Sequence, residues 1–148
     1  MRLQKLTQAA VPAGAALQLQ AQHYGRTILL DTLAGSVVTL PKSVGNGAKF
    51  LFRVSVLATS VSHKIQVQNG IDVMRGIIAC LDSDLGTVNN FAFAAVAASD
   101  TITLDRTNTG SVTLGEWVEV EDVQAGFWHV RGQLSGAAPA TPFSAAVN

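Results

Sequence analysis

Phe50-Leu51-Phe52-Arg53-Val54-Ser55-Val56 sets Phe50, Phe52, Val54 and Val56 on one face and Arg53 and Ser55 on the other. That period of two is the signature of a half-buried β-strand. Burying its apolar face contributes about 1.5–3 kcal/mol per large side chain before conformational entropy is set against it. The stretch is therefore the anchor of a core.

Similar short strands lie on both sides. Upstream, Thr27-Ile28-Leu29-Leu30-Asp31 is β-branched and apolar, and Ser36-Val37-Val38-Thr39-Leu40 alternates until Pro41, which cannot donate to a ladder. Downstream, Lys64-Ile65-Gln66-Val67-Gln68 ends at the turn pair Asn69-Gly70. Residues 72–81 fit one helical turn or a strand; Gly76 and the β-branched Val73, Ile77 and Ile78 favour the strand. Residues 90–96 are apolar and Ala-rich, and Thr101-Ile102-Thr103-Leu104 alternates again. Residues 116–123 and 127–134 pair through the Gly-containing loop Gln124-Ala125-Gly126.

Eight to ten strands at this spacing and no convincing helix predict an all-β fold: a sandwich, jelly roll or barrel, with a jelly-roll-like β-sandwich preferred. No internal repeat of fixed period is visible. The organisation expected is an extended N-terminal arm over residues 1–16, a sandwich over 17–136 and an irregular tail over 137–148. Leu17-Gln18-Leu19-Gln20-Ala21 is the first short strand of that scheme.

One domain of 148 residues buries a real core without staples. Its apolar share of 48% is ordinary, but its charged share of 14% is well below the usual quarter. A neutral polar skin meets that constraint, and so does a surface covered by copies of the chain or by a partner. The second is the expectation, because apolar area without charge tends to mark interfaces. Ten basic residues balance ten acidic ones, so no basic surplus exists for phosphates and no nucleic-acid partner is expected. Arg2 and Lys5 resemble the charged start of a signal peptide, but Gln8, Pro12, Gly14, Gln18 and Gln20 interrupt its apolar stretch. No run approaches membrane-spanning length.

The residues that carry chemistry are few. Cys80 is the only cysteine, set in the apolar run Gly76-Ile77-Ile78-Ala79-Cys80-Leu81, and reads as a small buried hydrophobe. His23, His63 and His129 stand in no spaced metal motif. Asp82-Ser83-Asp84 starts like a calcium loop whose remaining ligands are missing. Glu116, Glu119, Glu121 and Asp122 crowd one strand; Glu119 and Glu121 alternate with Val118 and Val120 as on a solvated face. Nucleophile elbows and a phosphate cradle are absent. No enzyme activity, metal or cofactor is expected. Trp117 and Trp128 flank the last hairpin, where core packing is favoured over a sugar-stacking platform.

The order of several motifs carries a resemblance. Ser36-Val37-Val38-Thr39-Leu40-Pro41 is followed by Ser99-Asp100-Thr101-Ile102-Thr103-Leu104 and Thr109-Gly110. Gly115-Glu116-Trp117-Val118-Glu119-Val120, Gly126-Phe127-Trp128-His129-Val130-Arg131-Gly132 and Thr141-Pro142-Phe143-Ser144 complete the series. Over residues 27–144 the chain resembles virion proteins of tailed bacteriophages, in particular capsid decoration (cement) proteins. The resemblance implies a small β-sandwich, made in the host cytoplasm, on the exterior of the assembled head. Its partners would be the major capsid protein and further copies of itself, a trimer being favoured over a dimer. In this scheme Leu3, Leu6 and Val11 contact the capsid, and Met74, Ile78, Pro142 and Phe143 contact neighbouring copies. The alternative is a head-fibre or tail-associated virion protein that binds a host-surface carbohydrate through Trp117 or Trp128.

Overall fold

A computed structural model describes residues 8–84, 86 and 89–147. Among them the chain forms twelve strands and no α-helix. The first six are β1 (Val11–Pro12), β2 (Ala16–Gln18), β3 (Thr27–Leu30), β4 (Val37–Thr39), β5 (Lys49–Val54) and β6 (His63–Gln66). They are followed by β7 (Val73–Asp82), β8 (Phe91–Ala94), β9 (Thr101–Leu104), β10 (Trp117–Gln124), β11 (Phe127–Gly136) and β12 (Phe143–Ser144). A single 3-10 turn, Ala21–His23, lies between β2 and β3.

The strands make two sheets. Sheet A has seven, in the order β1-β3-β5-β10-β11-β7-β8, and sheet B has five, in the order β12-β9-β6-β4-β2. Alternation along each strand turns one side chain in two towards the space between them. Phe50, Phe52, Val54, Val118, Val120, Trp128 and Val130 fill it from sheet A, and Val38, Ile65, Ile102 and Leu104 from sheet B. Phe50 lies at the centre, 5.7 Å edge-on from Tyr24 and 6.0 Å from Trp128 between ring centroids. The all-β sandwich expected from the alternation is the fold.

The winding differs from a jelly roll, which is antiparallel. Here five of the ten strand pairings are parallel: β1 with β3, β3 with β5, β2 with β4, β4 with β6, and β7 with β11. Parallel neighbours need a long crossover, and the first six strands supply it by alternating between the sheets. Each of β2 to β5 is the return path between two neighbouring strands of the other sheet. The result is a two-sided coil of three rungs. Val11 lies beside Ile28 and Thr27 beside Leu51, steps of 17 and 24 residues. Ala16 lies beside Val37 and Val37 beside Lys64, steps of 21 and 27. Steps of unequal length explain why no fixed repeat shows in the sequence.

Of residues 72–81, readable as strand or helical turn, all but Asp72 belong to the ten-residue strand β7, which runs parallel beside β11. Gly76 makes that approach feasible. Its φ is +138°, and a Cβ there would run into the backbone carbonyl of Val130.

Both ends of the chain are drawn into the sheets beyond the boundaries expected at 17 and 136. β1 adds to sheet A, where the Gly14 amide donates to the Asp31 carboxylate at 2.8 Å and the Arg26 guanidinium donates to the Ala9 carbonyl. β12 adds to sheet B beside β9. Past it, the buried Asp100 carboxylate accepts the amides of Ala146 at 2.8 Å and Val147 at 3.1 Å.

Candidate interaction surface

The buried polar groups hold the chain's own loops. Glu116, at the entrance to β10, accepts hydrogen bonds from the amides of Ser111 (2.6 Å), Thr113 (2.8 Å) and Val112 (3.2 Å) and from the Ser135 hydroxyl (2.5 Å). Ser111 has φ +57°, and this left-handed turn points its amide and those that follow at one carboxylate. At the other end of β10, Asp122 accepts from the Ser43 hydroxyl (2.8 Å) and the amides of Val44 (2.9 Å) and Gly45 (2.7 Å). The Ser43 amide donates to Asp72 at 2.8 Å, so one serine links two buried carboxylates.

His63 is fully buried in β6: its Nδ1 accepts the Ser36 amide and its Nε2 lies 2.8 Å from the Val56 carbonyl. His23 caps its own turn, its Nδ1 accepting the Gln20 amide. Among the described residues, no group of three or more His, Cys, Asp or Glu side chains is placed to hold a metal ion.

Asp105 organises the loop after β9. Partial burial works to raise its pKa, but the amides of Thr109, Thr107 and Asn108 and the Asn108 side chain outweigh it and hold the carboxyl below its ordinary value. A carboxyl with a depressed folded pKa contributes its stability in full above the unfolded pKa, about 3.9, and loses it as pH falls through the folded value. Asp105→Asn is therefore expected to flatten the acid limb of the stability profile. Unfolding midpoints measured from about pH 5 to about pH 2 check this; wild type and variant falling in parallel would exclude Asp105 as a source.

Outward-facing residues of sheet A divide into two zones. Across its middle, Lys49 pairs with Glu121 at 3.4 Å, Arg131 pairs with Glu119 at 2.7 Å, and exposed His129 completes a shallow depression of about 100 Å³. Arg75 stacks over the Phe127 ring at 3.6 Å. Exposed pairs of this kind contribute little stability. At the foot of the sheet a cleft of about 460 Å³ opens between Leu81, Leu114, Glu116, Trp117 and Gln133. Trp117 is half-buried there, beside Gln133 and Arg53 in register.

The second zone is the edge formed by β7 and β8. Ile77, Leu81, Ala92, Ala94 and Val96 are exposed there. On the opposite side of β8, Phe91 stacks on Phe93 with centroids 5.9 Å apart and planes 16° off parallel. Phe93 packs against the core, whereas Phe91 remains 45% exposed.

Several residues expected at contacts lie elsewhere. Met74 and Ile78 point inward from β7 into the core, and Pro142 and Phe143 are buried where β12 closes sheet B. All four are spent inside one chain, so none of them is free to form the contact expected of it. Val11 is half-buried in β1, packed against the core; Leu3 and Leu6 lie outside the described residues. Trp128 is fully buried, with no acceptor for its indole N–H among the described residues, which leaves Trp117 as the one tryptophan open to a ligand. Cys80 is buried as expected. Burial pushes its thiol pKa up, with the Thr109 hydrogen bond acting against it and Glu116, Asp82 and Asp105 adding to the rise. Comparison with protein-family models, curated proteins and solved structures gave no match.

Proposed function

We propose that the chain is a capsid decoration (cement) protein of a tailed bacteriophage. In this reading it binds the outer surface of the assembled head as an oligomer and stabilises contacts between capsid subunits, without catalysis, cofactor, nucleic acid or membrane. The observation that carries the reading is how the side chains are apportioned. Buried carboxylates are tied to the protein's own loops, while eleven large apolar side chains stand exposed among the described residues. A surface so thin in charge favours adhesion to a partner. Many weak contacts per particle then add by avidity. Of the motifs that resemble decoration proteins, those at residues 115–120 and 126–132 form the hairpin of β10 and β11 in the middle of sheet A, and those at residues 36–41, 99–104 and 141–144 supply β4, β9 and β12 of sheet B.

The segment before β1 is the part offered to the capsid. Removing residues 1–16 would also remove β1 and the buried Ala13, so the informative truncation stops at residue 8. The full chain is expected to co-sediment with heads assembled without it, and the chain lacking residues 1–8 to stay in the supernatant with an unchanged circular dichroism spectrum. Full-length protein that fails to sediment with heads overturns the decoration reading. Truncated protein that decorates at wild-type occupancy overturns the role of the arm.

One observation favours a second reading, a head-fibre or tail-associated virion protein binding host-surface carbohydrate: Trp117 borders the 460 Å³ cleft among polar neighbours. Tryptophan emission separates the two, because Trp128 is sealed in the core and Trp117 alone can report a sugar. Unresponsive emission favours the decoration role.

A further inference from the structure

We propose that β8 pairs antiparallel with β8 of a second copy across a two-fold axis, with Phe93 on the axis. The hydrogen-bond inventory of the edge sets this register. The Ala95 amide donates to the Gly76 carbonyl at 3.0 Å, and Phe93 and Phe91 stand opposite Ile78 and Cys80. In an antiparallel ladder alternate residues point their backbone groups at the same neighbour, so Phe91, Phe93 and Ala95 face β7. Ala92 and Ala94 therefore direct their N–H and C=O groups out of the sheet, and both are exposed.

An antiparallel partner that sets Ala92 against Ala94 satisfies all of these groups with four hydrogen bonds. Because Ala92 of each copy meets Ala94 of the other, the strand is its own complement. Phe93 then faces its counterpart as a non-hydrogen-bonded pair, where side chains approach closest. Phe91 of each copy lies diagonal to Phe93 of the other, so each stacked pair of rings meets its equivalent.

Charge selects a second copy as the occupant. A two-fold sets a strand against its own sequence, and like charges brought opposite each other are destabilising. Residues 89–98 carry no charge at all. Edge strands are ordinarily protected by charge, proline or short length. The other edges have such protection: β1 is two residues ending in Pro12, β12 is two residues and β2 is three. β8 has neither charge nor proline and is held straight at both ends. Asp82 receives the Asn89 amide, and its own amide donates to Asn90, at 2.9 and 3.0 Å. At the far end, Val96 and Ser99 close a turn.

The pairing joins two seven-stranded sheets into one and continues the exposed apolar strip of Ile77, Ala92 and Ala94 across the axis. It takes from the decoration reading only the expectation that copies associate. Capsids play no part in its test, so the two fail separately.

Sedimentation velocity on the full chain, over a range of concentrations, is expected to show a dimer. Ala94→Pro removes an outward N–H without touching the β7 ladder and is expected to abolish the dimer while preserving the circular dichroism spectrum. Should that variant misfold, Phe93→Cys decides: mild oxidation is expected to give a disulfide-linked dimer on a non-reducing gel, since Cys80 is buried. A wild-type chain that is monomeric or trimeric throughout overturns the proposal. So does a dimer unaffected by Ala94→Pro, or Phe93→Cys protein that forms no cross-link.

Discussion

Glu116→Ala is expected to destabilise the fold by about 3–5 kcal/mol, the range seen when a buried, fully engaged charged group loses one side of its network. The carboxylate is the shared acceptor of three successive amides and a hydroxyl. Without it, Ser111 loses the partner that holds its left-handed backbone, and its buried amide is left unsatisfied at a cost of about 1–3 kcal/mol. Water reaches Val112 and Thr113 more readily, which is why the total falls short of the sum over donors. Glu116→Gln keeps one acceptor oxygen and is expected to lose less. Urea unfolding followed by circular dichroism orders the three proteins. Equal midpoints for wild type and Glu116→Ala would mean that the loop stands without its carboxylate. The same loop walls the cleft beside Trp117, so the variant is also expected to change Trp117 emission.

Gly76→Ala is expected to cost at least as much, and to yield insoluble protein at growth temperature. One methyl group suffices because the obstacle is backbone: the Val130 carbonyl occupies the place of the Cβ. The positive φ adds strain for any L side chain. Relief requires β7 and β11 to separate, and these strands pair over ten residues, the longest ladder of sheet A. The comparison that isolates the effect is Gly126→Ala, at a hairpin loop where nothing lies within 4 Å of the added carbon. Its positive φ carries a backbone penalty alone, about 1 kcal/mol. Comparable soluble yields and unfolding midpoints for the two variants would show that close approach at Gly76 is not the cause.

Side-chain alternation reports which face of a strand is buried, and on that question the sequence was legible. Phe50, Phe52 and Val54 point inward and Arg53 outward; Trp128 and Val130 point inward and His129 outward. The acidic cluster of β10 could have been read by the same parity. Asp122 shares the phase of Val118 and Val120 and Glu116 stands in step with them, so both are inward groups, whereas Glu119 and Glu121 face out. The solvated face was read from Glu119 and Glu121 alone, and Glu116 and Asp122, the two carboxylates that organise the loops, were not separated from them by phase. Alternation does not name a strand's neighbour, and the parallel coil of β1 to β6 was hidden for that reason. β1 and β12, at two residues each, are too short to show a period. Met74, Ile78 and Phe143 were unresolvable in another way, since a large apolar side chain looks the same whether a core or a second copy covers it. The edge at β8 did leave a trace, in ten consecutive residues without charge.

The alternate-sheet path of the first six strands is a form of lacing. Each pass through one sheet is followed by a pass through the other, so both sheets are built from alternating lengths of one chain. The expected consequence is cooperative folding, in which the two layers close together with no single-sheet resting stage. The same lacing governs how the protein comes apart. A strand peeled from sheet A slackens the loop that seats its neighbour in sheet B, and local damage in either layer is felt by both.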